Sequence, residues 1–137
     1  MIRAVVDTNV LVSALISPSG NEALIVLAIH QRLLRPCFSE EILREYAEVL
    51  ARPKFAFPLD EIEALLARVR SQGELLHPEP SPSTSPDPGD AKFLACAQAA
   101  RADFIVTGNK RDFPQGQYGP TRVVNAGELL DLIAFEM

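Results

Sequence analysis

The feature that most restricts this chain is a pattern that begins in its first seven residues. Residues 2–6 form a short, mostly apolar run rich in β-branched side chains, and the run stops at an acid, Asp7. Such a run reads as a buried strand. Thr8 and Asn9, both cap-type residues, precede the apolar residues 10–15, which open a helix that Pro18-Ser19-Gly20 breaks. The alternation then repeats. Apolar spacing and capping predict helices over residues 22–31, from Ser39 to about Ala51, over 60–70, 90–102 and 126–135. Residues 33–38, 103–108 and 121–124 read as strands, and 74–77 as a short edge strand. Helices alternating with short apolar strands demand an α/β domain whose parallel sheet is covered on both faces.

Composition enters through charge and through proline. The 137 residues are one domain's worth, and with 47% hydrophobic residues they bury a real core. Residues 1–137 are therefore read as a single domain. Prolines at 78, 80, 82, 86 and 88 make residues 78–89 an extended polar loop inside it, because neither flank alone closes a core. The net charge of -5 has the wrong sign for gripping nucleic acid by charge alone. An acidic nuclease stays open, since a metal in use neutralises its carboxylates. Cys37 and Cys96 stand far apart in apolar surroundings with no Cys/His cluster, which speaks for buried, reduced thiols and against zinc. With no signal-peptide anatomy at the start and no apolar run of membrane-spanning length, a cytoplasmic protein without a membrane partner is expected.

In an open parallel sheet, ligands bind beyond the carboxyl ends of the strands. Asp7 lies at one such end, and Thr107, Asn109 and Asp112 follow another. Asp7 is open to a second reading as the cap of the helix that follows, although Thr8 and Asn9 cap equally well. Glu45 needs a helical argument. Ile42, Leu43, Tyr46, Val49 and Leu50 form the apolar arc of the third helix, Glu40, Glu41 and Glu48 point away, and Glu45 sits on the arc's edge. A carboxylate there needs a metal or an ion pair, with Arg52 or another arginine as the partner in the second case. Asp90 lies in line with Phe93 and Leu94. It is either a site acid or a complement to the helix dipole, a role that Asp87 beside Pro88 fills as well.

Carboxylates gathered on one rim repel one another unless a cation holds them. Oxygen donors without His or Cys select Mg²⁺ or Mn²⁺. The chemistry such ions serve is hydrolysis of a phosphodiester. Around the fourth acid, Thr107 offers a hydroxyl to a carboxylate, Asn109 an orienting amide, and Lys110 and Arg111 contacts for an RNA phosphate. Turn chemistry explains the Gly108-Asn109 pair and Asp112 equally well.

These residues resemble the PIN-domain nucleases. Asp7-Thr8-Asn9 after the first strand resembles the family's opening motif, and Glu45 in Ile42-Leu43-Arg44-Glu45-Tyr46 its second acid. Asp90 in Asp87-Pro88-Gly89-Asp90-Ala91-Lys92-Phe93-Leu94 resembles the third, and Thr107-Gly108-Asn109-Lys110-Arg111-Asp112-Phe113 the fourth motif. The resemblance runs in order over nearly the whole chain, and is nearest to stand-alone VapC-type toxins of toxin–antitoxin pairs. It implies a three-layer α/β/α sandwich with a mostly parallel central sheet. It implies a Mg²⁺- or Mn²⁺-dependent endoribonuclease with Asp7, Glu45, Asp90 and Asp112 as catalytic and metal-holding acids, supported by Thr8, Asn9, Thr107 and Asn109. An RNA substrate, a small antitoxin partner and a homodimer follow from the same likeness. Asn109 stands where many relatives carry Asp, and the Pro-rich loop is unusually long. The rival reading is a catalytically weak PIN fold serving as an RNA- or protein-binding regulatory module. Aspartyl phosphatases usually show Asp-x-Asp, where this chain has Asn9; no Gly-x-x-x-x-Gly-Lys loop exists, and His30 and His77 lack a nucleophile elbow.

Overall fold

A computed structural model describes residues 1–79 and 88–136. The sequence's Pro-rich loop therefore falls largely outside the described residues, as does Asp87 in its expected capping role. The described elements are β1 (Ile2–Val6), α1 (Thr8–Ile16), α2 (Asn21–His30), β2 (Leu34–Phe38), α3 (Glu40–Leu50), α4 (Leu59–Gln72), β3 (Glu74–Leu75), α5 (Ala91–Ala100), β4 (Phe104–Val106), β5 (Gln117–Tyr118), β6 (Thr121–Val124) and α6 (Ala126–Glu136). Short 3₁₀ turns occupy Pro53–Phe55, Pro88–Asp90 and Lys110–Asp112.

The sheet runs β3-β2-β1-β4-β6-β5, parallel except for β5. From β1 the chain steps outward to β2 and β3, then returns through α5 past β1 to β4. Right-handed crossovers running in opposite directions place their helices on opposite faces, so the expected α/β/α sandwich forms. Helix α5 packs on β1, β2 and β4, whereas α2 meets α1, α6 and β2. The β1 side chains Val5 and Val6, buried like Ile105 of β4 and Phe93 of α5, form the middle of the core. Cys37 and Cys96 are free thiols within it. Among the described residues no single helix is long and apolar enough to cross a membrane.

Three details depart from the sequence reading. Helix α1 begins at Thr8, so Thr8 and Asn9 are helical and not caps. The predicted start of α5 at Asp90 is a 3₁₀ turn, with the α-helix beginning one residue later. Strand β5 was not expected. It is a two-residue strand joined to β6 by a tight loop in which Gly119 takes φ +60°, where a side chain would be strained.

Candidate active site

Strand β1 ends at Val6, and the Asp7 N–H donates to the Val106 carbonyl at 3.0 Å. The Thr107 N–H donates to the Val124 carbonyl at 3.0 Å, so β1, β4 and β6 end in step. Between β1 and β4 the strand order reverses, which opens the crevice where ligands of such sheets bind. Asp7 occupies the N-cap position of α1, yet its side chain makes no capping bond. The Thr107 hydroxyl donates to Asp7 Oδ2 at 2.8 Å, and the Asn9 amide donates to the same oxygen at 3.3 Å. Asn9 is fixed in turn by the Gly108 N–H, which donates to its Oδ1 at 2.9 Å. The capping reading of Asp7 thus gives way. Its carboxylate is held from β4, across 100 residues of sequence.

Two 3₁₀ turns deliver the other acids. The Pro88–Asp90 turn carries Asp90 to the head of α5, where its side chain makes no capping bond and the residue is 8% exposed. The Lys110–Asp112 turn follows β4. The turn chemistry read around Gly108-Asn109 falls to Asn109, whose Oδ1 accepts the Arg111 N–H at 3.3 Å while its Nδ2 donates to Asp112 Oδ1 at 3.2 Å. Asp112 is left facing the other acids. One carboxylate oxygen from each of Asp7, Asp90 and Asp112 lies within 4.8 Å of the others. An octahedral ion with bonds of about 2.1 Å needs ligand oxygens about 3 to 4.2 Å apart. The three donors are all oxygen, and drawn inward from this spacing they suit a hard divalent ion.

Glu45 is placed differently. Ser39 Oγ caps α3 by accepting the Ile42 N–H at 3.2 Å, and the buried Tyr46 hydroxyl donates to the Val6 carbonyl, pinning α3 against the end of β1. Glu45 then meets the Thr8 hydroxyl, which donates to Oε2, and Lys92, whose Nζ lies 2.7 Å from Oε1. It stands beside the aspartate triad and not within it. The ion-pair alternative is therefore realised, with Lys92 and not Arg52 as partner; Arg52 pairs with Glu48. The sequence reading passed over Lys92. The available signal was that it is the one charged residue in Ala91–Ala100.

Electrostatics follow the geometry. Burial pushes the Asp7 carboxyl above its ordinary range, the Thr107 hydroxyl and the Asn9 backbone N–H oppose this, and the charges of Asp112 and Glu45 add to the rise. Lys110, expected as a phosphate contact, is engaged within the chain. Its Nζ lies 2.5 Å from Glu128 Oε1, and Glu128 also closes a reciprocal cap with Asn125 at the head of α6. The Lys110 ammonium, aided by the Asn125 N–H, holds Glu128 below the usual carboxylate range. Arg111 makes no ion pair among the described residues.

Comparison with known proteins places these residues in a wider set. Residues 3–111 match the family model described as a PIN domain. The uncharacterized protein MJ1680 of Methanocaldococcus jannaschii is 31% identical over 112 residues, spanning 80% of this chain and 72% of that protein.

Proposed function

The chain belongs to the PIN domain family, and on that premise we propose that it is a Mg²⁺- or Mn²⁺-dependent endoribonuclease, acting as the toxin of a toxin–antitoxin pair. The observation that carries the reading is the convergence of Asp7, Asp90 and Asp112 oxygens within 4.8 Å. Asp7, Asp90 and Asp112 hold the ion, and Glu45 closes the centre on the α3 side. A hard divalent ion supplies Lewis acidity toward a phosphoryl oxygen and acidifies water.

The chain's own residues do the positioning. Thr107 and the Asn9 amide both donate to Asp7 Oδ2, which fixes the orientation of the carboxylate toward the other two acids. Asn109 turns Asp112 inward by its amide, so the neutral residue at this position orients an acid instead of replacing one. Arg111 remains as a contact for an RNA phosphate, while Lys110 serves the fold through Glu128. The three strong acids of the family motifs, Asp7, Glu45 and Asp90, are all present, which favours an enzyme over a binding module. A homodimer, a small antitoxin that covers the rim, and a cytoplasmic setting complete the proposal.

Purified protein incubated with single-stranded and structured RNA is expected to cut it in Mg²⁺ or Mn²⁺ and to stop when EDTA is added. Cleavage that persists after exhaustive chelation overturns the metal-dependent reading.

A further inference from the structure

The four acids of the centre are not equivalent. Asp7, Asp90 and Asp112 converge on one another, whereas both oxygens of Glu45 are already engaged, Oε2 by the Thr8 hydroxyl and Oε1 by the Lys92 ammonium at 2.7 Å. Lys92 is only 14% exposed in its side chain and also donates to the Gly89 carbonyl at 2.9 Å, in the turn that carries Asp90. One ammonium group therefore ties the second acid to the third. We propose that Lys92 stands in place of a second metal ion: the centre holds one divalent cation on the three aspartates, and the lysine supplies the positive charge on the Glu45 side. This rests on the metal-dependent reading above and specifies its stoichiometry.

Three arguments support it. Four carboxylates around one divalent ion leave two negative charges uncompensated, and Lys92 removes one of them without calling for a second ion. An ion pair largely withdrawn from water is a poor device for stability alone, since apolar pairs of equal volume are often as stable. Here the charged pair is kept on a helix face that is otherwise apolar, beside the reacting rim. Finally, Lys92 lies two residues after Asp90, so the turn that aims the acid also aims the ammonium.

The test is Mn²⁺ binding measured by isothermal titration calorimetry on the full chain. Wild type is expected to bind one ion, as is Lys92→Arg. Lys92→Gln, which removes the positive charge and keeps a polar side chain, is expected to bind a second ion and to gain more in melting temperature from Mn²⁺ than wild type does. The double variant Glu45→Gln/Lys92→Gln deletes the pair without changing net charge. It is expected to bind one ion with affinity within about threefold of wild type, because loss of a true ligand or its support costs about 10–100-fold. A second ion on wild type, a folded Lys92→Gln that still binds only one, or a tenfold loss in the double variant overturns the proposal; should Lys92→Gln fail to fold, the double variant decides. A wild-type chain that binds no Mn²⁺ refutes the metal-dependent reading itself, and this inference with it.

Discussion

At the start of β1, Arg3 grips Glu74 with guanidinium bonds of 3.0 and 3.1 Å, and Arg35 approaches the same carboxylate at 3.7 Å. Its backbone N–H also donates to Asp103 at 2.9 Å. At the end of the same strand, Asp7 faces Asp90 and Asp112, and Lys92 nearby pairs with Glu45. A strand of five residues thus joins a region where acids are cancelled by arginine to one where acids confront acids. Charge that serves the fold is neutralised by the chain. Charge at the strand's end is gathered instead, where the divalent cation is proposed to sit.

The largest expected effect breaks this contrast at the acidic end. Asp7→Asn and Asp90→Asn should each lower RNA cleavage by about 100-fold or more, as removal of a centre group typically does. Neither should lower the melting temperature in EDTA. For Asp7 the sign is fixed by its raised pKa. Its contribution to metal-free stability is fully present below the ordinary aspartate range and is lost as pH rises through the raised folded value. Asp7→Asn should therefore remove part of the decline in metal-free stability between acid and neutral pH, which melts across that range would reveal.

Asp112→Asn should act in the same direction but less, because Asp112 is partly exposed and its partner Asn109 remains. Mn²⁺ affinity is expected to fall about tenfold with little change in the EDTA melt. An earlier melt at unchanged affinity would assign Asp112 to the turn alone.

Glu74→Gln sharpens the comparison from the other end. Both partners are about a quarter exposed, so the loss should be about 1–2 kcal/mol of stability after solvent screening. Cleavage per folded molecule should not change. The smallest effects belong to Glu40→Gln, Glu41→Gln and Glu48→Gln on the outer face of α3. Stability changes within about 0.5 kcal/mol and unaltered cleavage are expected, and a rate loss in any of them would show that the face assignment of Glu45 carries no information.

Much of this was readable from the residues, and the exceptions share a cause. Strands β1 and β6 follow their apolar runs to the residue, because burial alone decides them. The acids at Asp7, Asp90 and Asp112 were locatable from strand ends and helix stripes. What failed was anything set by a partner distant in sequence. Asp7 looked dispensable as a cap only if Thr8 and Asn9 capped; instead Thr107, 100 residues away, claims its carboxylate and Thr8 turns to Glu45. Lys110, read as a phosphate contact, has Glu128 of α6 beside it, a pairing that no local signal gives. Lys92 was overlooked because its worth depends on α3 packing across the rim. Strand β5 is too short for any periodicity to register, and its turn glycines were the sole local sign.

Cys37 in β2 and Cys96 in α5 give the molecule an internal stopwatch. Both are fully buried, and burial pushes their thiols up to about 11 and about 12. The reactive species is the thiolate, so the folded chain keeps both sulfurs silent toward alkylating reagents at neutral pH. Labelling therefore requires an opening that exposes the core. Asp90 sits at the head of the helix that carries Cys96, so an ion that ties down the rim should also slow the labelling of that sulfur.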